Sequence, residues 1–62
     1  MTTSDAYNAM HYLTLVSVGT KADTGYITRV DEAARYAEVR RDYRHLTTWE
    51  PLEALSISYR KH

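Results

Sequence analysis

The chain has 62 residues, no cysteine, eight Lys plus Arg against eight Asp plus Glu, and a hydrophobic fraction of 44%. This composition excludes disulfides and thiolate zinc sites as staples, and the balanced charge gives no global field to hold a polyanion or an anionic membrane. A domain of this length buries only about 60% of the surface of its unfolded chain, so association with a second copy or a partner is the expected source of further stability.

No repeat, linker or low-complexity tract divides residues 1–62, which read as one small α+β domain. No apolar run approaches the roughly 18 residues of a membrane span, and Met1 to Tyr7 lack the basic start and apolar stretch of a signal peptide. The reading is cytoplasmic, without a membrane partner. Charge is uneven along the chain. Residues 1–34 set Lys21 and Arg29 against Asp5, Asp23, Asp31 and Glu32, a balance of −2. Residues 35–62 set Arg35, Arg40, Arg41, Arg44, Arg60 and Lys61 against Glu38, Asp42, Glu50 and Glu53, a balance of +2.

At the N-terminus, Ser4 or Asp5 is placed to cap a short helical turn carrying Ala6, Tyr7, Ala9 and Met10. Residues 11–18, His-Tyr-Leu-Thr-Leu-Val-Ser-Val, are rich in β-branched and aromatic types and stop at Gly19, which predicts a strand. A polar loop from Gly19 to Gly25 leads to a second strand, Tyr26 to Thr28, extending toward Val30. Thr28 followed by Asp31 has helix N-cap spacing, and a long helix is predicted from about Arg29 to about Leu46. Its apolar half-wheel holds Ala33, Tyr36, Ala37, Val39, Tyr43 and Leu46, with Arg40 as the exception. Pro51 ends the segment Thr47-Thr48-Trp49-Glu50, read as a loop. From Glu53 to Arg60, Leu55, Ile57 and Tyr59 alternate with Ala54, Ser56, Ser58 and Arg60, the pattern of a last strand.

The order ββαβ then gives a three-stranded antiparallel sheet, order 2-1-3, with the long helix packed on one face. Such a sheet would expose Tyr12, Val16, Val18 and Tyr26 on its other face, an apolar patch that a second copy or the folded-back N-terminal segment, through Tyr7 and Met10, would cover. Homo-oligomerisation through those four residues is the expectation.

Chemistry-bearing patterns are sparse. His11, His45 and His62 lie far apart, and Asp42 with His45 supplies only two ligands, so no metal site is expected. There is no glycine-flanked serine and no Gly-rich phosphate loop, so no catalytic residue or cofactor is assigned and the chain reads as non-enzymatic. Six Tyr, one Trp and a set of Arg are the types enriched at protein interfaces. Trp49, Tyr43, Arg40 and Arg44 are therefore the expected contacts to an unidentified protein partner. The competing class is a nucleic-acid-binding accessory protein using Arg40, Arg41, Arg44, Arg60 and Lys61. A compact Arg-rich chain of this kind suits a phage or mobile-element accessory protein.

Overall fold

The computed structural model describes residues 1–19, 23–41 and 46–58. The fold is α+β: one helix followed by a five-stranded antiparallel sheet. Helix α1 covers Thr3–His11. The strands are β1 (Val16–Val18), β2 (Asp23–Asp31), β3 (Tyr36–Arg41), β4 (Thr47–Pro51) and β5 (Leu55–Ile57), and a 3-10 turn, Leu52–Ala54, joins the last two. Sheet order is β4-β3-β2-β1-β5.

The N-terminal helix is longer than a turn, and Thr2 caps it rather than Ser4 or Asp5. The Asp5 backbone N–H donates to Thr2 Oγ1 at 3.1 Å, and Asp5 then sits in the first turn where the dipole favours an anion. The helix ends in a Schellman arrangement: the N–H of Thr14 donates to Ala9 O at 2.9 Å and that of Leu13 to Met10 O at 3.4 Å. Leu13 occupies the left-handed position, φ 54°, that glycine usually fills. This corrects the strand expected over residues 11–18, because His11 to Leu13 finish the helix and only Val16–Val18 pair.

The largest departure falls on the helix predicted from Arg29 to Leu46: its described residues, 29–41 and 46, are not helical. Asp31 does not cap a helix. Its Oδ1 accepts the Ala34 N–H at 3.0 Å, closing a turn over residues 32–35 in which Arg35 is left-handed, φ 58°. Such a turn fits a four-residue hairpin loop, and the chain returns as β3 opposite β2, with Asp31 paired to Tyr36. Along β3, Ala37 and Val39 are buried while Tyr36 and Arg40 are exposed, which is period 2. Trp49, expected in a loop, lies in β4, where Pro51 is tolerated at the end of an edge strand. The last strand is shorter than residues 53–60, since Leu52–Ala54 form the 3-10 turn and β5 begins at Leu55; residues 59–62 fall outside the described part. The expected 2-1-3 neighbours survive as β2-β1-β5, both pairs antiparallel, inside a sheet of five strands rather than three.

Connectivity forces the sheet to curl. Pro51 lies opposite Tyr36, which pairs with Asp31 at the far end of β2, whereas Leu55 lies opposite Val18, which pairs with Asp23 at the near end. The eight steps along β2 cover about 26 Å, but the four from Pro51 to Leu55 reach at most about 14 Å. Only a bent sheet brings the two ends together. The bend is fixed where Leu52 N–H donates to Arg35 O at 2.9 Å and Gly19 N–H to Ala54 O at 2.7 Å.

Inside the curl, Val16, Val18, Ile27, Ala37, Val39, Leu52 and Leu55 are buried together with Ala6 and Ala9 of α1. The two alanines present a small-residue face that lets the helix approach the sheet. Ile27, Leu52, Val16 and Val39 are the largest fully buried side chains, each contributing about 1.5–3 kcal/mol by burial. The helix covers the sheet, so Val16 and Val18 belong to the protomer's own core and do not form an open self-association face. That expectation is corrected; of its four residues only Tyr12 and Tyr26 reach the surface.

Gly25 pairs with Val16 on one side and Arg41 on the other. A Cβ there would lie 2.5 Å from Arg40 O and 2.7 Å from Val39 Cγ1, two neighbours with little room to move. Gly25→Ala is expected to destabilise the fold by about 2–3 kcal/mol, read as a lower urea midpoint. Leu13→Gly acts in the opposite direction. Leu13 is 72% exposed, so little burial is lost, and relief of the left-handed backbone should raise stability by about 0.5–1 kcal/mol in the same measurement.

Candidate interaction surface

The alternation of β2, β3 and β4 divides their side chains between the core and an outer face. On the outer face, register sets Tyr26 opposite Arg40 and Arg40 opposite Thr47; Glu38 lies between Arg29 and Trp49; Tyr36 lies between Asp31 and Pro51. Trp49 is 48% exposed, Tyr36 42% and Tyr26 37%. Arg40 and Trp49 are diagonal neighbours on adjacent strands, so two of the four expected partner contacts share one surface. Tyr43 and Arg44 lie outside the described residues. Tyr36 and Leu46, assigned to a buried helix face from the sequence, are exposed instead.

Polar contacts organise the same face. Thr28 Oγ1 donates to Glu38 Oε1 at 3.0 Å, and Arg29 Nε lies 3.8 Å from that oxygen. A register irregularity between Ile27 and Arg29 puts Thr28 and Arg29 together on this side. A shallow groove of about 570 Å³ runs along this segment, with Tyr7 and Met10 of α1 and Trp49 of β4 among its walls. A second depression of about 350 Å³ lies beside Leu13, Tyr26 and Arg40. Tyr12, 73% exposed, adjoins it in sequence and stacks edge-on to His11 at 4.8 Å.

Arg41 behaves differently from Arg40. It sits on the core side of β3, its side chain only 12% exposed. Its Nη1 donates to Asp23 Oδ2 at 3.3 Å, Nη2 to Glu50 Oε2 at 3.0 Å and Nε to Thr48 Oγ1 at 3.2 Å. The guanidinium therefore links β2, β3 and β4 at the end of the core, and its fork geometry suits two acceptors in different directions. It is committed to these partners, which removes Arg41 from the residues expected to contact nucleic acid. Arg44, Arg60 and Lys61 of that set lie outside the described residues, leaving Arg40 as its exposed member. Among the described residues no group of three His, Asp or Glu side chains is placed to hold a metal ion, and no helix is long and apolar enough to cross a membrane.

No protein-family model, curated protein or solved structure matches the chain.

The exposed aromatics Tyr7 and Tyr36 were missed as surface candidates. The available signal was the alternation Tyr36-Ala37-Glu38-Val39-Arg40, which fits a strand with one wet face as well as it fits a helix.

Arg41 joins two partly buried carboxylates, Asp23 and Glu50, and removing it takes that link away. Arg41→Ala is expected to cost about 2 kcal/mol, less than a fully buried pair would lose because Asp23 retains solvent. Arg41→Lys keeps the charge but loses the fork, so thermal unfolding should show it recovering less than half of that loss.

Proposed function

We propose that this protein is a non-enzymatic interaction module that binds another protein through the outer face of β2, β3 and β4. The observation that carries the reading is Trp49: a tryptophan in the body of a strand, 48% exposed, with Arg40 and Tyr36 on the same face. Burying a half-exposed indole is a large apolar gain, and Trp, Tyr and Arg dominate interface hot spots. A monomer gains nothing from leaving it in water. Self-association forms part of the proposal through Tyr12, Leu13 and Tyr26, which present apolar surface around the second depression.

Nucleic-acid binding ranks second. Its support is the exposed Arg40 beside Tyr26, a cation and an aromatic that suit a phosphate and a base.

The test is affinity capture from the native host with wild-type protein and two variants. Trp49→Ala and Arg40→Ala should each lower recovery of a specific protein, Trp49→Ala by about tenfold or more, with unchanged thermal unfolding. Equal recovery by all three proteins overturns the assignment of this face. A gel shift at low salt that fades steeply with added salt and with Arg40→Ala would instead promote the nucleic-acid reading.

A further inference from the structure

The groove beside β2 differs from the rest of the outer face in its charge. Its walls include two half-exposed aromatics from separate elements, Tyr7 on α1 and Trp49 on β4, with Met10 beside Tyr7. Asp31 and Glu32, both exposed, line it at the hairpin end. Among the described residues its lining contains one cation, Arg29, and that side chain is drawn toward Glu38 at 3.8 Å. Asp31 uses Oδ1 for its turn, where it accepts the Ala34 N–H. Aromatic faces carry negative quadrupoles, and an excess of carboxylates at the rim reinforces them.

We propose that this groove receives a Lys or Arg side chain presented by the partner protein. The proposal rests on the interaction-module reading and specifies the chemistry of its partner. A cation in the groove gains from contact with the Tyr7 or Trp49 ring, its aliphatic stem can pack on Met10, and Asp31 and Glu32 complement its charge. An acidic side chain would meet the same carboxylates with the wrong sign. A purely apolar one would cover them without replacing their water. The cavity of about 570 Å³ is ample for one long side chain and the backbone on either side of it.

Trp49 is the only tryptophan in the chain and lies in the groove, so its fluorescence reports occupancy directly. The probes are three acetylated and amidated glycine pentapeptides carrying a central Lys, Arg or Glu, titrated into the wild-type chain at low salt. The Lys and Arg peptides should change the emission saturably, and the Glu peptide should not. Tyr7→Leu and the pair Asp31→Asn with Glu32→Gln should each weaken binding about threefold or more, and raising the salt should weaken it further. Asn at position 31 retains an acceptor for the Ala34 N–H, and far-UV circular dichroism checks that each variant is folded.

The proposal is overturned by the absence of a saturable response to the basic peptides, by equal affinity for the Glu peptide, or by undiminished affinity in both folded variants. If one of these occurs while Trp49→Ala still loses the captured partner, the interaction face stands and its cationic occupant does not. If the basic peptides bind as expected but Trp49→Ala captures as well as wild type, the groove holds a cation that the captured partner does not supply, and both the interaction face and the partner-presented cation are overturned.

Discussion

Gly25 is the point on which the sheet turns. Among the described residues it is the one position of β2 whose register joins both neighbours, β1 through Val16 and β3 through Arg41. Before it, β2 belongs with β1 and β5; after it, with β3 and β4. A side chain at this position would point into the Arg40 carbonyl and the Val39 methyl, so the close approach of β2 and β3 needs a residue with none. That approach keeps β2 and β3 packed side by side within the curl that the short β4–β5 connection imposes, with Val16, Ile27, Val39 and Leu55 buried inside it and Trp49 on the outer face.

Two adjacent arginines show how strongly strand parity divides roles. Arg40 points out, opposite Tyr26, and remains exposed; Arg41 points in and is held by two carboxylates and a hydroxyl from β2 and β4. The inward arginine ends the apolar core with a satisfied polar cap, and no buried side-chain N or O among the described residues lacks a partner. Part of the Arg excess of the second half of the chain is therefore architectural, and the excess of carboxylates in the first half collects at the β2–β3 hairpin end, near Tyr7.

Several features were readable in the sequence for sound physical reasons. The class was, as were helical structure through Ala6, Tyr7, Ala9 and Met10, the place of Val16–Val18 between the second and last strands, and the stop at Gly19. The long central helix was misread because residues 33–46 satisfy two periods at once, and only the turn chemistry of Asp31 with a left-handed Arg35 decides between them. The strand over 11–18 was misread because the helix ends on Leu13 without the customary glycine. For the surface, Trp49 and Arg40 were identified by residue type, and the sheet brings them together. Tyr12, Val16, Val18 and Tyr26 were grouped by alternation on a strand longer than the one that forms, which is why two of them ended in the core.

The same connectivity sets the order in which the chain can assemble. The β2–β3 hairpin closes a loop of four residues, whereas β1 meets β5 across some forty residues of chain, and the Met1 amino group meets Leu52 O, at 3.1 Å, across 51. Loop-closure entropy falls lightly on the first and heavily on the others. The central hairpin is thus the natural nucleus, and joining β5 to β1 is the late event that seals the core. Until that seam forms, both Val16 and Leu55 lack their cover, so the chain is most adhesive before its longest loop closes.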